Sequence, residues 1–250
     1  MRSFVRMIAA WLVIACLGPA IPALAQDRPN VLVYSQSTGW RHSSIETGVE
    51  ALERLGAERG IDIVASEDPW IFDGDALADF DAIVFLNTTT KKDDPSSEWF
   101  VGERRQKLQD FVRRGGGIVA IHGASDSHYN WPWFGRLIGG RFASHPRGTP
   151  TGEVSVTDPG HAATSGLDPR VTRTDEWYYF DDYDPTTHLL ATVDPQSMGE
   201  VDVNPNPVSW SHEFEGARVF YTAMGHTEES YAEPWFLRHV GQGLDWVLKR

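Results

Sequence analysis

Short apolar runs alternate with helical patterns through the first half of this 250-residue chain. Near-continuous apolar runs predict buried strands at residues 31–35, 61–65, 82–86 and 118–121. Between them, apolar side chains at helical spacing predict helices at residues 44–59 and 98–114. Strands that alternate with helices in this way are typical of a parallel, doubly wound α/β sheet.

The first predicted helix carries signals at both ends. Ser43 with Glu46 predicts a capping box at its start, and Gly60 fits the position just beyond its end. Its buried face is predicted to consist of Ile45, Val49, Leu52 and Leu55.

From residue 152 onward the pattern changes to strands separated by turns rich in Pro, Asp and Gly. Strands are predicted at residues 153–157, 173–180, 189–193, 208–213 and 218–221, before a closing helix at 233–248. We expect these strands to form an antiparallel extension beside the parallel sheet. No linker of biased composition divides residues 26–250, so the sequence predicts a single domain.

Residues 1–25 have the features of a signal peptide. A basic start with Arg2 and Arg6 precedes an apolar stretch, and Ala25 ends an Ala-Leu-Ala cleavage signal. We expect export to the periplasm or the extracellular space, with no membrane insertion after cleavage. A lipoprotein that retains an acylated Cys16 is the alternative. Cleavage after Ala25 removes Cys16, the only cysteine, and leaves no thiol nucleophile.

The expected mature chain is strongly acidic. Without residues 1–25, 20 basic residues face 35 acidic ones, which gives a net charge of −15 with neutral histidines. No cluster of Lys and Arg interrupts this excess. Nucleic acids and anionic membranes are therefore not expected as partners.

Two of the nine histidines directly follow predicted strands. His122 follows the run GIVAI, and His226 follows the run RVFYTAMG. Open α/β sheets place their ligand site at the carboxyl ends of strands, so we expect both histidines to face one crevice. The alternative is that each one separately caps a loop. In a solvent-facing crevice, replacing either histidine would leave stability nearly unchanged.

Two carboxylates accompany these histidines as candidate catalytic residues, Asp126 and Glu228. If the chain turns helical directly after the strand, His122 and Asp126 share one face. Asp126 would then orient the imidazole or share a metal ion with it. Ser125 is the nearest hydroxyl, but it lacks the G-x-S-x-G arrangement of a serine nucleophile.

Other polar and aromatic residues are candidates for substrate binding. Trp40, Arg41 and His42 precede a helix N-terminus, a position that favours ligand oxygens. Pairing of Arg41 with surface acids is the alternative. Aromatic rings beside polar groups suit sugars. The remaining candidates are His145, Asp175, Glu176 and Trp177.

Histidines and carboxylates are also the ligands of zinc and similar divalent metals. No histidine pair has the H-E-x-x-H spacing, and acid/base catalysis by His and Glu needs no metal, so both interpretations stay open. The candidate ligands for a divalent metal are His122, His145, Glu176 and His226.

Several strings, taken in order, resemble the ThuA-like (trehalose-utilisation) family. They are GWRHSSI, EDPWIF, FDAIVFLNTT, FVRRGGGIVAIHGASD, WPWFGRLIGG, SHP, RTDEWYYF and MGHTEESYAEPWFLRHV. The resemblance covers residues 30–249 and implies a flavodoxin-like α/β fold similar to class I glutamine amidotransferases. By matching motifs it also implies a site made of Arg41, His42, His122, Asp126, His145, Asp175, Glu176, His226 and Glu228.

The same resemblance implies a role in the catabolism of trehalose, related disaccharides or their 3-keto derivatives. Glutamine hydrolysis is not expected, because the amidotransferases use a cysteine at the elbow where this sequence has His122. We expect an exported enzyme that acts on a disaccharide, glycoside or 3-keto-sugar by acid/base chemistry, with or without a metal ion. The alternative is a non-catalytic carbohydrate-binding protein of the same fold.

Overall fold

The computed structural model describes residues 28–202 and 204–250. The expected signal peptide at residues 1–25 lies outside the described residues. The first half contains β1 Asn30–Tyr34, α1 Ile45–Arg59, β2 Asp62–Ser66, β3 Ala82–Leu86, α2 Glu103–Arg113, β4 Gly117–Ile121 and α3 Pro132–Ile138. The second half contains β5 Arg141–Ser144, β6 Thr151–Val156, β7 Arg170–Thr174, β8 Tyr179–Asp181, β9 His188–Asp194, β10 Asn206–Phe214, β11 Ala217–Thr222 and α4 Pro234–Val247.

Nine strands form one mixed sheet in the order β2-β1-β3-β4-β11-β10-β9-β6-β7. The strands from β2 to β11 in this order run parallel to one another. The strands from β10 to β7 pair antiparallel. The predicted α/β sheet with an antiparallel extension in the C-terminal half is therefore confirmed. β5 and β8 form a separate antiparallel pair.

Helices cover both faces of the parallel strands, because successive residues of a strand point to opposite sides. Leu86 faces α1, where a Cβ built on Gly48 would lie 3.2 Å from its side chain. Its neighbour Phe85 faces α3 and packs edge-on against Phe134, with ring centroids 5.6 Å apart. β3 and β4 are fully buried in consequence, which explains their apolar runs. Within the described ranges, no helix is both long and apolar enough to cross a membrane.

The predicted strand at residues 173–180 is wrong in its middle. β7 ends at Thr174 and β8 begins at Tyr179, so residues 175–178 are irregular. The carboxylate of Asp175 accepts hydrogen bonds from the backbone N–H groups of Gly225 and His226. These bonds tie the segment to the end of β11 instead of to a neighbouring strand.

The ends of the two predicted N-terminal-half helices also differ from the expectation. The helix predicted at residues 98–114 begins only at Glu103, because Glu98 is turned inward and accepts a hydrogen bond from Asn130 N–H at 2.7 Å. The capping box is wrong as well: Ser44 is the N-cap residue of α1 and makes no side-chain capping bond. Gly60 does occupy the left-handed position beyond the helix, with φ at 65°.

Candidate metal centre and cleft

Four polar side chains meet at the carboxyl edge of the parallel strands. His122 follows β4 and His226 follows β11, and these two strands are neighbours in the sheet. His42 comes from the loop between β1 and α1, and Glu176 comes from the irregular segment between β7 and β8. One ligand atom of each residue lies within 4.8 Å of the others. We call these four residues the histidine cluster.

Short distances link the members of the histidine cluster. The Nε2 atom of His122 lies 3.1 Å from Nδ1 of His226. Glu176 Oε2 lies 3.5 Å from the same Nε2 and 3.2 Å from the same Nδ1. The ring of His42 packs edge-on against both other imidazoles, with centroids 4.9 and 5.0 Å away. Three imidazoles and a carboxylate thus converge on one point.

His122 is presented by a tight elbow between β4 and a 3₁₀ turn, His122–Ser125. Its φ of 45° lies in the left-handed region, which residues other than glycine seldom adopt. Its Nδ1 lies 2.6 Å from the carbonyl oxygen of Ala223. A carbonyl only accepts, so Nδ1 carries a proton, and Nε2 faces the other members of the cluster.

Two expectations about His122 are wrong. Its side chain is fully buried, so it is not a solvent-facing residue whose removal leaves stability unchanged. Asp126 does not orient the imidazole, because Ala223 does so and the Asp126 carboxylate accepts a hydrogen bond from the hydroxyl of Tyr129 instead. The 3₁₀ turn ends at Ser125, so no α-helical face is shared.

The electrostatics of the cluster favour a neutral His42 beside an ionised Glu176. Burial, together with the neighbouring His122 and His226, lowers the pKa of His42 to about 2. The Nδ1 atom of His42 is buried and has no hydrogen-bond partner within the described part of the chain. For Glu176, burial raises the pKa, but the neighbouring imidazoles of His122 and His226 outweigh it and hold the pKa far below its ordinary value.

His226 behaves differently from His42. Burial lowers the pKa of His226, but its hydrogen bond to Glu176 and the negative charge of that carboxylate raise it above the ordinary value. Its backbone N–H is held by Asp175 at 3.0 Å. His226 therefore carries a proton more readily than His42.

Asp175 is a buried carboxylate that supports the backbone next to the cluster. Its carboxylate accepts from Gly225 N–H at 2.9 Å and from His226 N–H at 3.0 Å, and it lies 3.3 Å from Nη2 of Arg173. Asp175 is 0% exposed. The expectation that it binds substrate is therefore wrong, because its oxygens face backbone and Arg173 instead of the cleft.

A cleft of about 440 Å³ opens beside the cluster. Glu176 lies between the cluster and the rest of the cleft, because its Oε1 is 3.2 Å from Nδ1 of half-exposed His145. Asp126 and His145, both predicted site residues, line the same cleft as members of the cluster. The cleft is lined by Trp40, His42, Asp126, Phe142, His145, Glu176, Tyr178 and His226.

Asp126 is the second carboxylate of the cleft, and its pKa is shifted in the opposite direction to that of Glu176. Burial raises the pKa of Asp126 to about 6; the hydroxyl of Tyr129 lowers it, and the negative charge of Glu176 raises it further. Two carboxylates whose environments separate their pKa values in this way are typical of acid/base pairs.

Three further predicted site residues lie outside the cleft. Arg41 is held on the surface by Glu46 and by both oxygens of Glu67, which is the ion-pair alternative for that residue. Trp177 is 0% exposed and donates its indole N–H to Pro150 O at 2.8 Å, so it is core and does not contact substrate. Glu228 lines a neighbouring cavity of about 330 Å³ that also contacts His226.

The sequence patterns missed two residues that shape the site. Asn87 directly follows β3 and donates from Nδ2 to Gly225 O at 3.1 Å, so it fixes the loop that carries His226. The rule that singled out the two histidines applies to Asn87 too, since it is the polar residue behind a buried strand. Phe142 packs against Tyr178, with ring centroids 4.3 Å apart, and no periodicity marks it.

Solved structures similar to this one share its fold. A ThuA-like protein of Bacteroides uniformis superposes with a TM-score of 0.72 at 20% identity, over 91% of this chain and 95% of that chain. A ThuA-like protein of Parabacteroides merdae gives 0.73 at 16% identity, over 89% and 90%. A beta-galactosidase of Rahnella gives 0.55 at 15% identity, over 89% of this chain but 31% of that chain.

No curated protein matches the sequence. The family described as ThuA, trehalose utilisation, matches residues 30–247, which is most of the chain. The chain therefore belongs to the ThuA family, and this membership supports a carbohydrate-related role.

Proposed function

We propose that this protein is an exported, metal-assisted enzyme that acts on a small carbohydrate by acid/base chemistry. The observation that carries the proposal is the histidine cluster, which combines three imidazoles with an ionised carboxylate in one ligand set. This donor chemistry suits zinc or another borderline divalent ion. Export rests on the signal-peptide features of residues 1–25, and the carbohydrate class rests on family membership.

The fit to a metal ion follows from the hydrogen bonds of the ligands. Metal-binding histidines donate their second N–H to a carbonyl or carboxylate, as His122 does to Ala223 O. The buried, unpartnered Nδ1 of His42 lacks any other acceptor or donor within the described residues. When bound, a divalent ion would polarise a substrate oxygen or lower the pKa of a water molecule.

The remaining cleft residues manage protons and orientation. Asp126, whose pKa burial raises to about 6, keeps its proton to a higher pH than an ordinary aspartate and, when protonated, donates it to an oxygen of the substrate. Tyr129 fixes the Asp126 carboxylate through its hydroxyl group. Glu176 stays ionised and accepts hydrogen bonds from the substrate. The substrate thus meets one carboxyl group with a raised pKa and one carboxylate that stays ionised.

A covalent acyl-enzyme has no candidate nucleophile in this site, so we do not propose glutaminase chemistry. The only cysteine of the sequence is Cys16, and His122 occupies the elbow. The hydroxyl of Ser125 is buried and shares a hydrogen bond with Tyr221 at 2.9 Å. It is therefore not free to attack a substrate.

Metal analysis of the purified mature protein tests the metal part of this proposal. We expect one equivalent of divalent metal per chain, and loss of that metal in Glu176→Gln and His226→Ala. His188→Ala is the matched control, because His188 is an exposed histidine that pairs with Asp158 and is distant from the cluster in the sheet. A wild-type protein that neither retains metal nor binds added Zn²⁺ would refute metal assistance.

Turnover of disaccharides and of their 3-keto forms tests the enzymatic part. We expect chelation to abolish turnover and added Zn²⁺ or Mn²⁺ to restore it. Full activity after exhaustive chelation would show that the acid/base catalysis needs no metal ion. Tight sugar binding without turnover of any of these compounds would indicate a carbohydrate-binding protein instead.

A further inference from the structure

Trp40 lies at the mouth of the cleft with 72% of its surface exposed. Within residues 28–202 and 204–250, its ring makes no aromatic or cation contact and its indole N–H donates no hydrogen bond. The similarly exposed Trp70, at 70%, differs because the guanidinium of Arg104 lies 5.3 Å from its ring centroid. A large aromatic side chain without any partner, at the rim of a cleft, indicates a surface that a ligand covers.

The backbone that carries Trp40 is fixed. Thr89 donates its hydroxyl to Trp40 O at 2.7 Å, and the N–H of Gly39 donates to Thr89 O at 3.2 Å. No side chain fits at Gly39, because its Cβ would lie 2.8 Å from Thr90 O. A ligand that stacks on Trp40 therefore binds a loop that is already ordered, so the entropic cost of binding is small.

The cleft next to Trp40 has two kinds of wall. Phe142 and Tyr178 contribute aromatic rings, whereas Asp126 and Glu176 contribute partly buried carboxylates. A wholly apolar ligand would remove water from the exposed parts of these carboxylates without replacing its hydrogen bonds, at a desolvation cost. An anionic ligand would be repelled by Glu176. A neutral ring with apolar faces and hydroxyl groups around its edge satisfies both walls.

We propose that Trp40 is the specificity-determining residue of this cleft and stacks on the apolar face of a pyranose ring. This inference rests on the carbohydrate part of the proposed function and adds the requirement for a closed ring. The hydroxyl edge of the stacked ring then points towards Asp126 and Glu176, beside the histidine cluster. An open-chain polyol has the same hydroxyl groups but no flat face for Trp40.

Calorimetric titration of zinc-saturated mature protein tests the role of Trp40. The probes are trehalose, methyl α-D-glucopyranoside and the acyclic polyol sorbitol. We expect both glucosides to bind more tightly than sorbitol. Trp40→Ala should weaken their binding about two- to tenfold, since an aromatic stack contributes roughly 0.5–1.5 kcal/mol. Trp40→Phe should recover part of the affinity, and the matched control Trp70→Ala should bind like wild type.

The possible outcomes separate this inference from the proposed function. If wild type binds the glucosides and Trp40→Ala binds them with the same Kd, the role of Trp40 is overturned while the carbohydrate function stands. If sorbitol binds wild type as tightly as the glucosides, ring stacking is overturned. If wild type binds no glucoside, both the inference and the carbohydrate part of the proposed function fail, whereas the metal content of the same samples tests the cluster separately.

Discussion

Asp175→Asn exchanges a buried carboxylate oxygen, which only accepts hydrogen bonds, for an amide group that donates them. The two oxygens of Asp175 accept from the backbone N–H groups of Gly225 and His226. Nη2 of Arg173 lies 3.3 Å from the same carboxylate, and both side chains are almost completely buried. In the variant, one backbone donor faces another donor, and Arg173 loses one of its two negative partners.

The structure sets the size of the expected destabilisation. Leaving one buried donor without an acceptor costs about 1–3 kcal/mol. Breaking a buried ion pair by removal of one partner costs about 3–5 kcal/mol. Arg173 keeps a second carboxylate, because Glu233 Oε2 lies 2.9 Å from it. We therefore expect the free energy of unfolding to fall by about 3 kcal/mol, at the lower end of the ion-pair range.

Urea unfolding of the metal-free mature protein, followed by circular dichroism, measures this loss. Asp73→Asn is the control, because Asp73 pairs with Arg104 at the surface, and it should unfold at the same urea concentration as wild type. Asp175→Asn should also weaken zinc binding, since Asp175 holds the backbone of His226 and precedes Glu176. A loss below about 1 kcal/mol with unchanged zinc affinity would refute the positioning role of Asp175.

Three further substitutions test the electrostatics and the elbow. Burial raises the pKa of Asp126 from 3.8 to about 6, so between these pH values the folded protein keeps a proton that the unfolded chain has lost. The stability of metal-free wild type relative to Asp126→Asn should therefore fall as pH rises through this window and level off above it. A pH-independent difference in stability would contradict this. For Glu98, burial raises the pKa, but the nearby His128 ring and the hydrogen bonds from Asn130 hold it at about 2. Glu98→Gln should therefore destabilise the protein most above pH 4.5 and progressively less towards pH 2 in denaturant titrations. His122→Asn should lose metal as fully as His122→Ala but unfold at higher urea, because Asn tolerates the positive φ at this position better than Ala.

The parallel half of the fold was predictable because its strands are buried on both faces. β3 and β4 are apolar at every position, so the sequence marks them without any knowledge of their neighbours. The pairing of His122 with His226 followed from one rule about strand ends. This rule needs only local sequence, because it looks for a polar residue directly behind a buried apolar run.

The contributions of residues 175–178 could not be predicted from their own sequence. Asp175, Glu176 and Trp177 are adjacent, yet one supports the backbone, one joins the cluster and one is core. Partners from distant segments decide these roles, as they decide that Trp40 is exposed while Trp177 is buried. Similarly, Arg41 meets Glu67 only because the loops after β1 and β2 are neighbours.

The histidine cluster draws on both halves of the mixed sheet. His42 and His122 follow strands of the parallel half, and His226 follows β11, the strand at which the pairing changes from parallel to antiparallel. Glu176 belongs to the segment behind β7, the outermost strand of the antiparallel half. A ligand that engages all four side chains binds only when the two halves are assembled. By thermodynamic linkage, such a ligand stabilises the state in which both halves are folded, so the two halves unfold together as one cooperative unit.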